Sequence, residues 1–270
     1  MIAICAIAKC ENSYLREWVE YHFDIGFDHI FLYDNNAPEG EHFDEVIGDL
    51  ILSGRVTVVN VRGRRRHQLR AYRHYGRHFS ADYQWTAYID IDEFLAFTPE
   101  SGYKSVGQFL DAASDFDVVH LNWLCYGDNG ALYRTEGGVR ERFTRSINPT
   151  DPINDHVKSI VKGDFCAKWH GNPHTPANRN ISVCDESFKP IKNEPFRAAT
   201  HHTAYIAHYF TKSLEEYVSS KLLRGGGNGG IHCMEMYYQC NAHTPEKSVL
   251  EARLLEGVEL PHKRRSIFRR

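Results

Sequence analysis

The first 36 residues, MIAICAIAKCENSYLREWVEYHFDIGFDHIFLYDNN, decide the fold. Ile2–Ala8 is an unbroken apolar run, the length of one strand buried on both faces. The polar loop Lys9-Cys10-Glu11-Asn12 interrupts it. Leu15, Trp18, Val19, His22 and Phe23 then recur at helical spacing, with Asn12 or Ser13 as the cap and Gly26 as the stop. Asp28–Tyr33 is a second strand, closed by the turn-forming Asp34-Asn35-Asn36. Strand, helix and strand in so short a span predict the opening of a parallel α/β sheet.

Outward from there the alternation continues. Helices are expected over Phe43–Leu52, Arg64–Phe79 and Ser105–Ala113, and strands over Val56–Val61, Trp85–Ile89 and Val118–Trp123. Residues 1–125 therefore read as a three-layer α/β/α sandwich on a mostly parallel sheet. Residues 126–200 are rich in Gly, Pro, Asn and Asp, and short strands are expected at Ser159–Val161 within them and at Ala204–His208 just beyond. A helix returns at Ser213, where Ser213 and Glu216 form a capping box ahead of an apolar stripe of Leu214, Tyr217, Val218 and Leu222. Gly225–Gly230 reads as a hinge or lid, and the basic tail His262–Arg270 as a solvated end that could touch anionic lipid.

With 270 residues, 42% hydrophobic and 25% charged, the chain has the composition of a globular protein large enough to fold without a staple. A net charge of −3 argues against a dedicated nucleic-acid partner. The seven cysteines are odd in number and scattered, which points to a reducing compartment, and we expect a cytoplasmic protein. The apolar start lacks a preceding basic residue and reads as a strand rather than a leader. No apolar run reaches the ~20 residues that span a bilayer.

The segment richest in chemistry is Tyr88-Ile-Asp-Ile-Asp-Glu-Phe-Leu95. Asp90 and Asp92 leave the end of a central strand, where ligands of open α/β sheets bind. In extended chain they would point to one side, and no Lys or Arg lies within five residues to offset their repulsion. A divalent cation would remove the conflict, and oxygen ligands favour Mg²⁺ or Mn²⁺. A phosphatase would place such a pair after its first strand, not its fourth.

These segments together resemble the bacterial members of glycosyltransferase family 92. The resemblance rests on Lys9–His22, Gly26–Asn35, Ile89–Phe94, Asn122-Trp123 with Tyr126-Gly127, Lys158–Val161, and His208–Tyr217 with Lys221 and Arg224-Gly225. It implies a GT-A, nucleotide-diphospho-sugar transferase fold as one domain over 1–270: a nucleotide-sugar and metal half (1–125), an acceptor half (126–235) and an extension (236–270). It implies a hexose moved from a UDP-sugar to a saccharide or glycolipid acceptor, with inversion. The setting would be surface polysaccharide or lipopolysaccharide synthesis at the inner face of a membrane.

On that resemblance, Lys9, Glu11, Asn12, Asp34, Asn35, Gln68, Tyr72, Asp90 and Lys212 would hold the nucleotide sugar. Asp90, Asp92 and His208 would hold Mn²⁺ or Mg²⁺. Trp123 and His174 would meet the acceptor, and Asp128 or Glu215 would be the general base. Bland roles stand beside these: Asn12 as a cap, Asp34 as a turn residue, the Arg64–Phe79 helix as a solvated basic face, and Trp123 as core. A zinc cluster of Cys166, His170 and His174, joined by His201, His202, Cys233 and Cys240, lacks the close Cys pairs of structural zinc sites. A sugar-nucleotide nucleotidyltransferase, a metal-dependent phosphohydrolase and a non-catalytic nucleotide- or glycan-binding protein are the rival activities.

Overall fold

The structure, a computed structural model, describes residues 1–165, 168–178, 180–223 and 232–257. Cys166, the Arg224–Gly230 stretch and the basic tail therefore lie outside the described residues.

Strands β1 (Ile2–Ala8), β2 (His29–Asp34), β3 (Val56–Asn60) and β4 (Trp85–Tyr88) form a parallel sheet in the order β3-β2-β1-β4. Helices α1 (Asn12–Asp24), α2 (Asp44–Leu52) and α3 (Gln68–His78) connect them. Alternation along β1 shows why the run is apolar throughout. Ile2, Ile4, Ala6 and Ala8 join the core beneath α1, while Ala3 and Cys5 join a second core with Ala71, Tyr72 and Tyr75 of α3. Helices thus cover both faces, as the three-layer expectation requires.

The predicted stripe of α1 is buried, Leu15, Trp18 and Val19 completely. Each such side chain adds about 1.5–3 kcal/mol by leaving water. Gly26, at φ +100°, ends that helix in a conformation a Cβ would resist. The expected cap is not there: Glu11 stands at the cap position without a side-chain bond, and Asn12 is already helical.

The second half adds β5 (Glu93–Phe97), β6 (Val118–Cys125), β7 (Val157–Lys162), β8 (Val183–Cys184) and β9 (Ala204–His208). The sheet runs β3-β2-β1-β4-β7-β6-β9-β5, with β8 beside β6. Pairs β4·β7, β6·β7 and β5·β9 are antiparallel, so the sheet is mixed beyond β4. Short helices α4 (Val106–Asp111) and α5 (Val139–Arg142) intervene, the first capped by Ser105.

Near its end the chain forms α6, helical over Leu214–Glu216 and widening to a π-helix over Tyr217–Leu222. The Ser213–Glu216 capping box is present, and Leu214, Tyr217, Val218 and Leu222 are buried as the stripe predicts. Helices α7 (Met234–Cys240) and α8 (Pro245–Leu254) pack against α6 around a third core containing Phe210, Tyr217, Tyr237 and Leu250. No described helix is long and apolar enough to cross a membrane.

Candidate functional site

Strand order reverses between β1 and β4, so their carboxyl ends part and leave a crevice. A cavity of about 830 Å³ opens there, within the usual size of a small-molecule site. Its wall carries six Lys and Arg side chains, Lys9, Arg64, Arg65, Arg66, Lys158 and Lys221, against the carboxyls of Glu11, Asp90, Asp92 and Glu93. Such a wall favours an anionic ligand.

Asp90 and Asp92 both line the cavity, but not as an extended pair. The chain turns after β4, with Glu93 N–H donating to the Asp90 carbonyl at 3.0 Å. The carboxylates diverge, and distant residues supply their counter-charges. Asp90 Oδ1 accepts from Gln68 Nε2 at 2.9 Å and Oδ2 from Lys158 Nζ at 2.7 Å. Asp92 Oδ2 is ion-paired with Lys221 and lies 3.5 Å from His208 Nε2. Lys158 also holds Glu93 at 3.0 Å. Neighbours close in sequence thus mislead about charge, because both lysines come from the second half of the chain.

Electrostatics follow from this pairing. Burial pushes the Asp92 carboxyl up, but the Lys221 ammonium and His208 imidazole outweigh it and hold it well below the usual range. Burial raises Glu93 to about 8, with Lys158 opposing and the two aspartates reinforcing. Burial lowers His208, which Asp92 partly counters. Lys158 stays charged: burial works against it, but Asp90 and Glu93 raise it well above its ordinary value.

For a divalent cation, Asp92 Oδ2 and His208 Nε2 are two convergent donors. No group of three or more His, Cys, Asp or Glu placed to hold an ion exists among the described residues. The pair suits a Mg²⁺- or Mn²⁺-type site completed by phosphate oxygens and water. Asp90, expected as a ligand, has both carboxylate oxygens committed to Gln68 and Lys158. The zinc cluster does not assemble among the described residues.

Of the other expected nucleotide residues, Lys9, Glu11, Asn35 and Gln68 line the cavity. Asn12 does not: its amide donates to the His42 carbonyl at 2.9 Å and to Glu45, tying α1 to α2. Asp34 is buried and paired with Arg62 at 2.7 Å, bracing the loop after β2. Tyr72 is fully buried behind Gln68, whose Nε2 donates to its hydroxyl at 3.1 Å. Lys212 is buried against Tyr14, 4.4 Å from that ring, and off the cavity wall. The expected helix from Arg64 begins only at Gln68, and Arg66 adopts φ +49°, which leaves the three arginines in a loop on the cavity rim.

On the acceptor side Trp123, His156 and His174 line the cavity. The Trp123 ring packs against two histidines. His156 lies on it at 4.4 Å and 13°, and His208 packs at 4.2 Å. His156 Nδ1 meets the Ile153 carbonyl at 3.0 Å and His174 Nδ1 the Val157 carbonyl at 2.9 Å. A carbonyl only accepts, so each Nδ1 carries the proton and each Nε2 a lone pair. Burial lowers both rings, His174 to about 3.

Neither expected base reaches the cavity. Asp128 is buried, with Tyr237 and Lys247 donating to its Oδ2. Glu215 accepts from the Arg134 N–H at 2.9 Å in a separate hollow. Residues missed at this site are Lys158, Lys221, His156 and Arg64–Arg66. Two of them, Lys158 and Lys221, stand in the segments that carried the resemblance.

A family model, Glycosyltransferase family 92, matches residues 3–221. The chain belongs to glycosyltransferase family 92. A family 92 protein of Oryza sativa subsp. japonica, Os08g0121900, is 30% identical over 163 residues, covering 60% of this chain and 27% of that protein. One of Arabidopsis thaliana, At1g27200, is 29% identical over 174 residues, covering 61% and 29%. The chain thus spans under a third of these relatives, and they are plant proteins rather than the expected bacterial ones. HddC from Yersinia pseudotuberculosis aligns over 82% of this chain and 98% of its own at 11% identity and TM-score 0.42, too loose a likeness to argue from.

Proposed function

We propose that this chain transfers a hexose from a UDP-sugar to a saccharide or glycolipid hydroxyl. The observation that carries it is the cation-rich cavity at the strand-order reversal, with Asp90, Asp92 and His208 on its wall in a family 92 chain. The diphosphate lies toward Lys9, Arg64–Arg66, Lys158 and Lys221, which balance the charge that grows as UDP leaves. Mn²⁺ or Mg²⁺ held by Asp92 and His208 would supply Lewis-acid stabilisation of that leaving group. Gln68 and Lys158 hold the Asp90 carboxylate in place beside the ribose.

His156 is the base in this reading. Its Nε2 lone pair is free to take the acceptor proton, whereas His174, at about 3, is too weak. A single displacement with one base inverts the anomeric centre. The resemblance to bacterial family members is what favours surface polysaccharide or lipopolysaccharide as acceptor, with the protein at the inner face of the membrane.

The test is a UDP-sugar panel, with and without Mn²⁺, on wild type, Asp92→Asn and His156→Asn. The reading expects metal-dependent release of UDP from one donor. Loss in Asp92→Asn should extend to UDP binding. His156→Asn should keep UDP binding and lose about 10²–10⁴-fold in turnover. Binding of UDP without turnover of any donor, with acceptors supplied, would leave a binding module instead.

A further inference from the structure

One contact at the site is not explained by a resting metal centre. The Lys221 ammonium sits on Asp92 Oδ2, the same oxygen that faces His208 Nε2. Two cations cannot share that oxygen at contact distance without strong repulsion. Lys221 is not a solvated residue that drifts there: it is buried, on the core side of α6 with Val218 and Leu222. The π-helical widening of Tyr217–Leu222 is a rare geometry that recurs at functional sites. The Phe210 ring, itself on the cavity wall, lies 5.4 Å from the same ammonium and adds a cation–π contact to the Asp92 ion pair.

We propose that Lys221 is a tethered cation that keeps the Asp92–His208 position closed to divalent metal until a diphosphate enters. Without nucleotide the ammonium neutralises Asp92, and a metal ion must displace it to bind. With a diphosphate present, Lys221 moves from the carboxylate to a phosphate oxygen, and Asp92 becomes available. Metal and donor then enter together, and the idle site retains little metal. This inference rests on the proposed transferase reading for the identity of the diphosphate, but not for the competition at Asp92.

The experiment titrates Mn²⁺ by electron paramagnetic resonance of the free ion, on the full chain, with and without UDP. Variants are Lys221→Met and Asp92→Asn. In the absence of nucleotide, Lys221→Met should bind Mn²⁺ at least about fivefold more tightly than wild type, the low end of ordinary coupling between sites. That gain should vanish in the double variant with Asp92→Asn. Equal affinity of wild type and Lys221→Met would overturn the proposal, as would tighter binding that survives Asp92→Asn. If Lys221→Met does not fold, acetylation of wild-type lysines read by mass spectrometry decides. Lys221 labelling should rise at saturating Mn²⁺, and unchanged labelling refutes displacement. No sugar is involved, so failure of UDP-sugar turnover leaves this result readable, and failure here leaves the transferase reading standing.

Discussion

Replacing Lys158 with Met tests how the site is held. Lys158 is buried between Asp90, at 2.7 Å, and Glu93, at 3.0 Å. Removing one partner of a buried ion pair costs about 3–5 kcal/mol. In a chain of this size that lowers Tm by about 6–20 °C. The pH dependence carries more information. Glu93 titrates near 8 in the folded protein, against 4.5 ordinarily, so the folded state holds the extra proton between those values. The Glu93 contribution to stability therefore falls as pH rises from 4.5 and levels off above 8. Lys158 is the group that pulls Glu93 down, so without it the folded value climbs and the decline continues. The gap between wild type and variant should be steady from pH 6 to 8. It should then widen by up to about 1.4 kcal/mol per pH unit toward pH 9. Urea unfolding at pH 6, 7, 8 and 9 measures it, and Glu93→Gln in the same background should remove the widening. A gap under about 1 kcal/mol at pH 7, or one that narrows toward pH 9, would refute the assignment of Lys158 as the shared counter-ion.

Three further outcomes are expected. Burial holds His22, His120 and His174 each near 3, against 6.5 ordinarily, so their stability is full above 6.5 and is lost as pH falls toward 3. Acid unfolding should steepen below pH 6, by up to about 4 kcal/mol per unit for the three together; a flat urea-unfolding profile from pH 7 to 5 would contradict their neutral burial. Gln68→Ala should weaken UDP binding about tenfold by releasing Asp90, and Tyr72→Phe should do less because it acts one bond further back. Calorimetry showing the reverse order would invert their roles. Asp128→Asn should cost roughly 2–4 kcal/mol of stability with turnover nearly kept at a temperature where the variant is folded. A large loss of kcat in folded Asp128→Asn would restore it as the base.

The parallel half of the fold was legible because its strands are mainly apolar and α1 carries a buried stripe of Leu15, Trp18 and Val19. Glu93–Phe97 was harder, since its role as a strand depends on pairing with Ala204–His208 more than a hundred residues away. The site was legible where the chain itself ends a strand, at Lys9, Glu11, Asn35, Asp90, Asp92 and His208. It misled where a polar residue's partner is remote. Asp34 looks poised for a ligand until Arg62 is seen upon it, and Asp128 until Tyr237 and Lys247 close over it. Local sequence offers no measure of whether a carboxylate is spent or available. Three arginines in a row suggested a solvated helix, but the left-handed Arg66 turns them toward the cavity instead.

The family 92 model matches as far as Lys221, near the end of α6, whose buried face is covered by residues further on. Tyr237 and Leu250 shield Phe210, Leu214 and Tyr217, and Lys247 supplies the charge that Asp128 needs. The shared portion is therefore not self-sufficient in this chain. Any relative that keeps residues equivalent to 3–221 but continues differently must find another roof for that oily face, and another cation for that acid. The far end of such a protein would then have to fit the matched portion as closely as that portion fits itself.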